Sequence, residues 1–213
     1  MTTSAGGLRL MVYDRTFVGR PGTQHGLTAS WIGGALLYRG LGRFDHTYGA
    51  SSWADALAWL ALVGGSAPVA EIQFWGHGRA GCAFIARDRL DAAAVTSLEH
   101  PLHAPLLAVS ARLSGPHALW WFRTCESFGT ARGHTFARAW TSFFGCRAAG
   151  HTYVIGPLQS GLHTLAPREI PRWSITEGQR PGAPADGSGT ALMSSWGAPH
   201  TITCLHGSIP AGY

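Results

Sequence analysis

Two residues with chemically reactive side chains each follow an apolar stretch of the sequence. His77 follows EIQFWG, and Cys125 follows ALWWFRT. An imidazole gains and loses protons near neutral pH, and a thiolate is a strong nucleophile. Together they form the acid/base and nucleophile pair that catalysis by a thiol requires. The two positions are 48 residues apart, which is enough chain for a crossover connection between neighbouring parallel strands.

Each reactive residue lies where a strand is predicted to end. Apolar runs bounded by Gly and small polar residues are typical of buried strands, and they predict strands over 69–75 and 117–122. In open sheets of such strands, working groups lie just beyond the carboxyl ends. Taken alone, His77 fits an ordinary loop residue and Cys125 an inert core thiol. Their shared position at strand ends favours a common site.

The remaining pattern alternates predicted strands and helices. Further strands are predicted over 8–13 and 151–155, with a hairpin partner over 81–86. Helical segments are predicted over 30–39, 51–63, 91–98, 106–113 and 134–144. Ser51 or Ser52 caps the second of these, and Gly145 ends the last. This order predicts an α/β fold with a mostly parallel central sheet and helices on both faces.

The character of the sequence changes after Gly156. Pro and Gly recur beyond that point, and the helical period disappears. We expect an α/β catalytic domain over residues 1–156 and a β/loop extension over 157–213 that packs on the same domain. Within the extension, short strands are predicted at 172–176 and 201–205, and a flexible loop at 178–190.

Composition argues against several classes of protein. The chain has 213 residues, of which 46% are hydrophobic and 13% charged, so a folded domain is expected. The formal charge of +5 comes from scattered Arg residues rather than a basic cluster, which argues against nucleic-acid binding. No apolar run approaches the ~20 residues of a membrane span, and no secretory signal is visible. We therefore expect a cytoplasmic protein whose four cysteines are reduced.

Two glycines flank His77. Gly76 and Gly78 lack a Cβ, so the backbone there can turn sharply and approach a ligand closely. The amide of Gly78 and the amide of Cys125 are candidate donors to a developing oxyanion. Preorganised donors of this kind typically lower a reaction barrier by ~2.7–4 kcal/mol each.

The sequence around both residues resembles that of the caspase-like cysteine peptidases. FWGHG ends at Gly78, FRTCES surrounds Cys125, and a helix from Gly133 and the strand HTYVIG follow. In that superfamily a strand ending in His-Gly and a later strand ending in Cys supply a catalytic dyad, on a sheet flanked by helices. The caspase His lies ≈50 residues before the Cys, which is similar to the 48 residues here.

The resemblance covers residues 69–156 and concerns the superfamily. The segment RTCES differs from the caspase string Q-A-C-x-G, so the chain resembles the small bacterial members and not the caspases proper. The resemblance implies an endopeptidase that acts on a protein or peptide substrate without a cofactor. Small bacterial members of the superfamily are often regulated stress or defence proteases, and the same is expected here.

The mechanism that the resemblance implies is acyl transfer by a thiolate. Cys125 would attack the scissile carbonyl. His77 would protonate the departing amine and then activate the hydrolytic water. The amides of Gly78 and Cys125 would hold the oxyanion.

Two further residues are candidates for substrate binding. Arg123 lies two positions before Cys125, so the two side chains share a strand face. Metacaspases have Asp at the corresponding position, which binds a basic residue, and Arg there would instead favour an acidic residue. Arg123 could equally pair internally, for example with Asp14 or Glu126. Asp14 lies where relatives keep another pocket residue.

Two other functions stay open at this point. One is a caspase-like fold used only for binding, in which the His77–Cys125 pair is inactive. The other is a zinc-dependent hydrolase that uses residues such as His77, Cys82, His100 and His103. No H-E-x-x-H or C-x-x-C motif is present, so a site without metal is preferred.

Overall fold

A six-stranded β-sheet forms the centre of the computed structural model, which describes residues 7–17, 26–183, 190–210 and 213. The strands in chain order are β1 (Leu8–Asp14), β2 (His46–Ala50), β3 (Val69–Trp75), β4 (His77–Arg79), β5 (Cys82–Ile85), β6 (Asp88–Asp91), β7 (Leu119–Arg123), β8 (Arg147–His151), β9 (Leu158–Gln159), β10 (Leu162–Leu165) and β11 (Ile202–Thr203). The central sheet has the order β10-β8-β7-β3-β1-β2. All neighbouring strands in it are parallel except β8 and β10, which are antiparallel. The prediction of a mostly parallel sheet is confirmed.

The central strands β1, β3 and β7 are apolar because both faces of the sheet are covered. Their side chains alternate between the two faces of the sheet, where they join separate clusters of buried residues. Val12, Phe74 and Phe122 belong to the larger cluster, whereas Met11 and Trp75 belong to a second cluster on the other face. The alternation explains why these runs carry so few polar residues.

Helices cover both faces of the sheet. They are α1 (Leu27–Gly40), α2 (Trp53–Leu62), α3 (Ala92–Thr96), α4 (His103–Ser110) and α5 (Thr130–Phe144). The helices α2 to α5 contribute to the larger cluster, and α1 packs on the opposite face through Ala35 and Tyr38. Helix α1 therefore lies beside Trp75, at the end of β3.

Both predicted helix signals are confirmed. Ser52 caps α2 by accepting a 3.1 Å hydrogen bond from the amide of Asp55. Gly145 ends α5 in the left-handed conformation, with φ = 59°, which glycine adopts without steric cost. The predicted hairpin partner is also confirmed, since β5 pairs antiparallel with β4 and then with β6.

Two predicted strands are wrong. The strand predicted over 151–155 lies earlier, at Arg147–His151, because it begins directly after the Gly145 turn and pairs with β7 through Ala148 and Ala149. Residues 172–176 form no strand, because the indole of Trp173 turns inward, donates to the carbonyl of Phe128 over 2.9 Å and stacks on its ring. In addition, strand β2 was not predicted.

The C-terminal region contributes to the sheet and covers one end of it. Strand β10 adds the last, antiparallel strand, and β11 pairs with β9 in a small separate sheet. Ile202 packs with Trp121 and Leu162 in a third apolar cluster. Part of the predicted loop, 184–189, lies outside the described residues. Over the part of the chain that the structure describes, no helix has the length and apolar character needed to cross a membrane.

Candidate thiol site

The two predicted reactive residues leave the sheet at the same edge. Strands β3 and β7 are paired in parallel, with Trp75 opposite Arg123. His77 follows Trp75 by two residues, and Cys125 follows Arg123 by two residues. The prediction that these strands adjoin is confirmed. The strand order also reverses direction beside this point, between β1 and β3. Such a switch point opens a crevice at the carboxyl ends of the strands, where α/β proteins bind ligands.

Gly78 brings the two strand ends into direct contact. A Cβ at this position would lie 2.5 Å from the carbonyl oxygen of Cys125 and 2.5 Å from Oγ1 of Thr124. No larger residue fits without displacing the backbone that carries the thiol. The absence of a side chain at Gly78 therefore sets how closely the His77 and Cys125 segments approach.

Both reactive side chains line one cavity of about 410 Å³. Residues of helix α1 and of the segment 155–159 line it, together with Cys204 and Leu205. Residues at the ends of β3 and β7 complete the lining. Three parts of the fold therefore surround the thiol in this cavity. They are the carboxyl ends of the strands, the only helix described on this face and the C-terminal region.

His77 is a partly buried base. It begins strand β4, and its ring makes edge contacts with Phe17 at 4.2 Å and Trp31 at 5.5 Å between centroids. Burial lowers the pKa of His77, and the negative charge of Asp14 partly offsets this effect. Its Nε2 atom is buried and has no hydrogen-bond partner among the described residues. The imidazole is therefore neutral at neutral pH and able to accept a proton.

Cys125 carries a partly buried thiol that is protonated at rest. Burial raises its pKa, and the neighbouring charge of Glu126 acts in the same direction. The thiol donates to the carbonyl oxygen of Ile155, which lies 3.9 Å from the sulfur. The pair therefore rests as a neutral thiol and a neutral imidazole, rather than as an ion pair.

The loop after Cys125 is held by backbone hydrogen bonds. The amide of Glu126 donates to the carbonyl of Tyr153 over 2.9 Å, and that of Phe128 donates to His151 over 3.0 Å. Glu126 has φ = 41°, a left-handed conformation that costs energy for a residue with a side chain. The contact of Gly78 with the carbonyl of Cys125 brings together the two segments that carry the proposed oxyanion amides. Their role as oxyanion donors stays a prediction.

Arg123 lines the cavity but is largely buried, with 3% of its surface exposed. Its guanidinium lies between the indoles of Trp75 and Trp121, 4.5 Å from each ring centre. Nε and Nη2 donate to Oε1 of Gln159 over 3.1 and 2.8 Å. The same group donates to the carbonyls of His206 (2.8 Å) and Cys204 (3.2 Å). All of these acceptors are uncharged, and burial lowers the pKa of Arg123.

Asp14 lies close to His77 and is not among the described residues that line the cavity. Its carboxylate is fully buried. Oδ1 accepts hydrogen bonds from the amide and hydroxyl of Thr16 over 2.7 and 2.6 Å, and Oδ2 accepts from the amide of Ala86 over 2.9 Å. These three hydrogen bonds hold the carboxylate in place near the imidazole.

Sequence patterns did not reveal several residues of the site. Phe17, Trp31 and Gln159 lie 60, 46 and 82 positions before or after His77. No local motif links them to it. They reach the site only through the packing of α1 and the C-terminal region on the sheet.

The residues considered for zinc binding do not form a cluster. His103 packs edge-on against Phe143 in the interface of α4 with α5, and Nδ1 of His100 accepts from the amide of Leu102. Within the described ranges, no group of three or more His, Cys, Asp or Glu residues could hold a metal ion.

No protein-family model, curated protein or solved structure matches the chain significantly. The fold defines a mixed α/β protein with a mostly parallel sheet, and its reactive pair opens into one cavity. Since a fold alone does not determine an activity, function has to be argued from this site.

Proposed function

We propose that this chain is a cysteine endopeptidase of the caspase-like type, in which Cys125 is the nucleophile and His77 the acid/base. The observation that carries the proposal is the meeting of both residues in one cavity. They leave adjoining parallel strands, and Gly78 packs directly on the backbone of Cys125. A strand ending in His-Gly beside a strand ending in Cys is also what the sequence resemblance implies.

The reaction begins with a proton transfer. His77 takes the thiol proton as the sulfur of Cys125 attacks the carbonyl carbon of the scissile bond. The carbonyl oxygen becomes an oxyanion, which the amides of Gly78 and Cys125 stabilise. The imidazolium then gives its proton to the departing amine, and a thioester remains on Cys125. His77 next removes a proton from water, which attacks the thioester and restores the thiol.

The resting protonation states of His77 and Cys125 are compatible with this order of reaction steps. A neutral imidazole is a competent base, and a neutral thiol becomes nucleophilic once its proton is removed during attack. Asp14 is the positioning residue in this scheme. Its buried charge lies near His77 and raises the imidazole pKa, so it stabilises the imidazolium that forms in the transition state.

A non-catalytic binding module is the second candidate, and one observation favours it. Burial raises the pKa of the Cys125 thiol, whereas many catalytic thiols have a lowered pKa. In this alternative the same apolar cavity would bind a peptide without cleaving it. Cleavage that depends on Cys125 separates the two candidates.

The test is a comparison of cleaved peptides. A library of random peptides is incubated with the wild type and with Cys125→Ala, and the products are identified by mass spectrometry. We expect products from the wild type and none from Cys125→Ala. Cys146→Ala is the matched control, because Cys146 is a fully buried core thiol whose pKa burial raises to about 12. Identical product profiles from the wild type and Cys125→Ala would contradict the proposal.

A further inference from the structure

We infer that the cavity beside Cys125 accepts an apolar side chain, and that the residue whose carbonyl is attacked is a large apolar one. This inference rests on the proposed function and names its substrate class. It differs from the expectation that Arg123 selects an acidic residue. The side chain of this residue is attached to the carbon next to the attacked carbonyl. It is therefore the substrate side chain that lies nearest the sulfur of Cys125, which lines the cavity.

Arg123 has no free side to offer a substrate carboxylate. The indoles of Trp75 and Trp121 each lie 4.5 Å from the guanidinium carbon. Its edges donate to Gln159 and to the carbonyls of Cys204 and His206. Only 3% of the residue is exposed. A carboxylate would have to displace these internal acceptors, so Arg123 positions the cavity wall instead of binding the substrate.

The rest of the cavity lining is largely apolar. Trp31, Trp75 and Ile155 contribute to its walls. Leu37 and Leu205 line it as well, yet they are 46% and 68% exposed. An acidic side chain in this cavity would lose its hydration without gaining an ion pair, which is costly. An apolar side chain would cover the two exposed leucines.

The cavity is large enough to hold a bulky side chain together with neighbouring atoms of the substrate. About 410 Å³ lies in the ordinary range for small-ligand pockets, ≈300–1,000 Å³. Differences in how well side chains fill an apolar pocket typically change reaction rates by about 10- to 200-fold. We therefore expect a preference for leucine over aspartate of about tenfold or more.

Gly33 provides a way to narrow the cavity without disturbing the fold. It lines the cavity, and a Cβ at this position would meet nothing within 4 Å. Its neighbour Gly34 is different, because a Cβ there would lie 2.6 Å from the ring of Trp75. Gly40 is the matched control. It ends the same helix, its Cβ position is equally open, and it is not among the described lining residues.

The experiment uses short peptidyl chloromethyl ketones that end in Leu, Ala, Asp or Arg. Sulfur displaces chloride in each, and the rate of adduct formation on Cys125 is followed by mass spectrometry. In the wild type we expect the Leu probe to react about tenfold or more faster than the Asp and Arg probes. Gly33→Leu should slow the Leu probe relative to the Ala probe, and Gly40→Leu should leave that ratio unchanged.

The outcomes separate this inference from the proposed function. If the Asp probe reacts fastest, the inference is wrong and Arg123 takes part in substrate recognition. The proposed roles of Cys125 and His77 would be unaffected by that result. Equal rates with all probes would also overturn it. If no peptidyl probe modifies Cys125 although iodoacetamide does, the proposed function itself fails.

Discussion

At the scale of single residues, the site depends on two groups that are both shifted toward their neutral forms. Burial lowers the pKa of His77 and raises that of Cys125. In the proposed mechanism the active form carries one proton on the pair. Activity should therefore be lost at low pH, when His77 is protonated as well, and at high pH, when the thiol loses its proton while His77 stays neutral.

The pH profile of kcat/KM should therefore be broad. We expect the acidic limb below the ordinary His pKa of ≈6.5 and the alkaline limb above the ordinary Cys pKa of ≈8.5. In the wild type the charge of Asp14 raises the pKa of His77. Asp14→Asn removes this charge, so the pKa of His77 should fall and the acidic limb should move to still lower pH. Measuring kcat/KM against pH for both proteins tests this.

Asp45→Asn is the control for this prediction. Asp45 is another carboxylate with a basic neighbour, since it lies 4.0 Å from Arg9. It is not among the causes of the His77 shift, so its removal should leave the acidic limb in place. If the acidic limb of Asp14→Asn lies at the same pH as in the wild type or at a higher pH, Asp14 does not raise the pKa of His77.

At the scale of elements, Arg123 connects the end of β7 to the C-terminal region. It lies at the last position of β7 and donates to Gln159 in β9 and to the carbonyls of Cys204 and His206. These bonds hold the segment that supplies one wall of the cavity. The buried guanidinium therefore has a structural role. Its position two residues before Cys125 in the sequence does not reveal this role.

Arg123→Met should lower the free energy of unfolding by on the order of 3 kcal/mol, because buried acceptors lose their donors. Urea denaturation of the variant and the wild type measures this. Arg138→Met is the control, since Arg138 is exposed on α5, and surface substitutions usually change stability by less than ~0.5 kcal/mol. If the free energy of unfolding of Arg123→Met equals that of the wild type, Arg123 does not have this structural role.

The sequence predicted elements well where local signals were strong. The apolar runs of β3 and β7, the Ser52 cap and the Gly145 stop are local features, and each prediction is confirmed. Strand β8 was misplaced because Ala148, Ala149 and Gly150 have little strand preference. They form a strand because β7 lies beside them. The branched residues after His151 were a misleading signal.

At the scale of the whole molecule, the site is assembled from segments far apart in sequence. His77 and Cys125 could be predicted because each ends its own strand. The walls of the cavity could not, since α1 and Leu205 reach the site only by packing on the sheet. The partners of Arg123 were missed for the same reason. Gln159 and the carbonyl of His206 are 36 and 83 residues away.

In the proposed mechanism Cys125 forms a thioester with the substrate, and His77 drives its formation. The most direct test is the mass of the protein during turnover of short peptide nitrophenyl esters with apolar, acidic and basic residues. We predict a mass increase equal to the acyl group, located on Cys125. In His77→Ala the adduct should form about 10²- to 10⁴-fold more slowly. Ester hydrolysis with no adduct on Cys125, or equal rates with and without His77, would contradict the account.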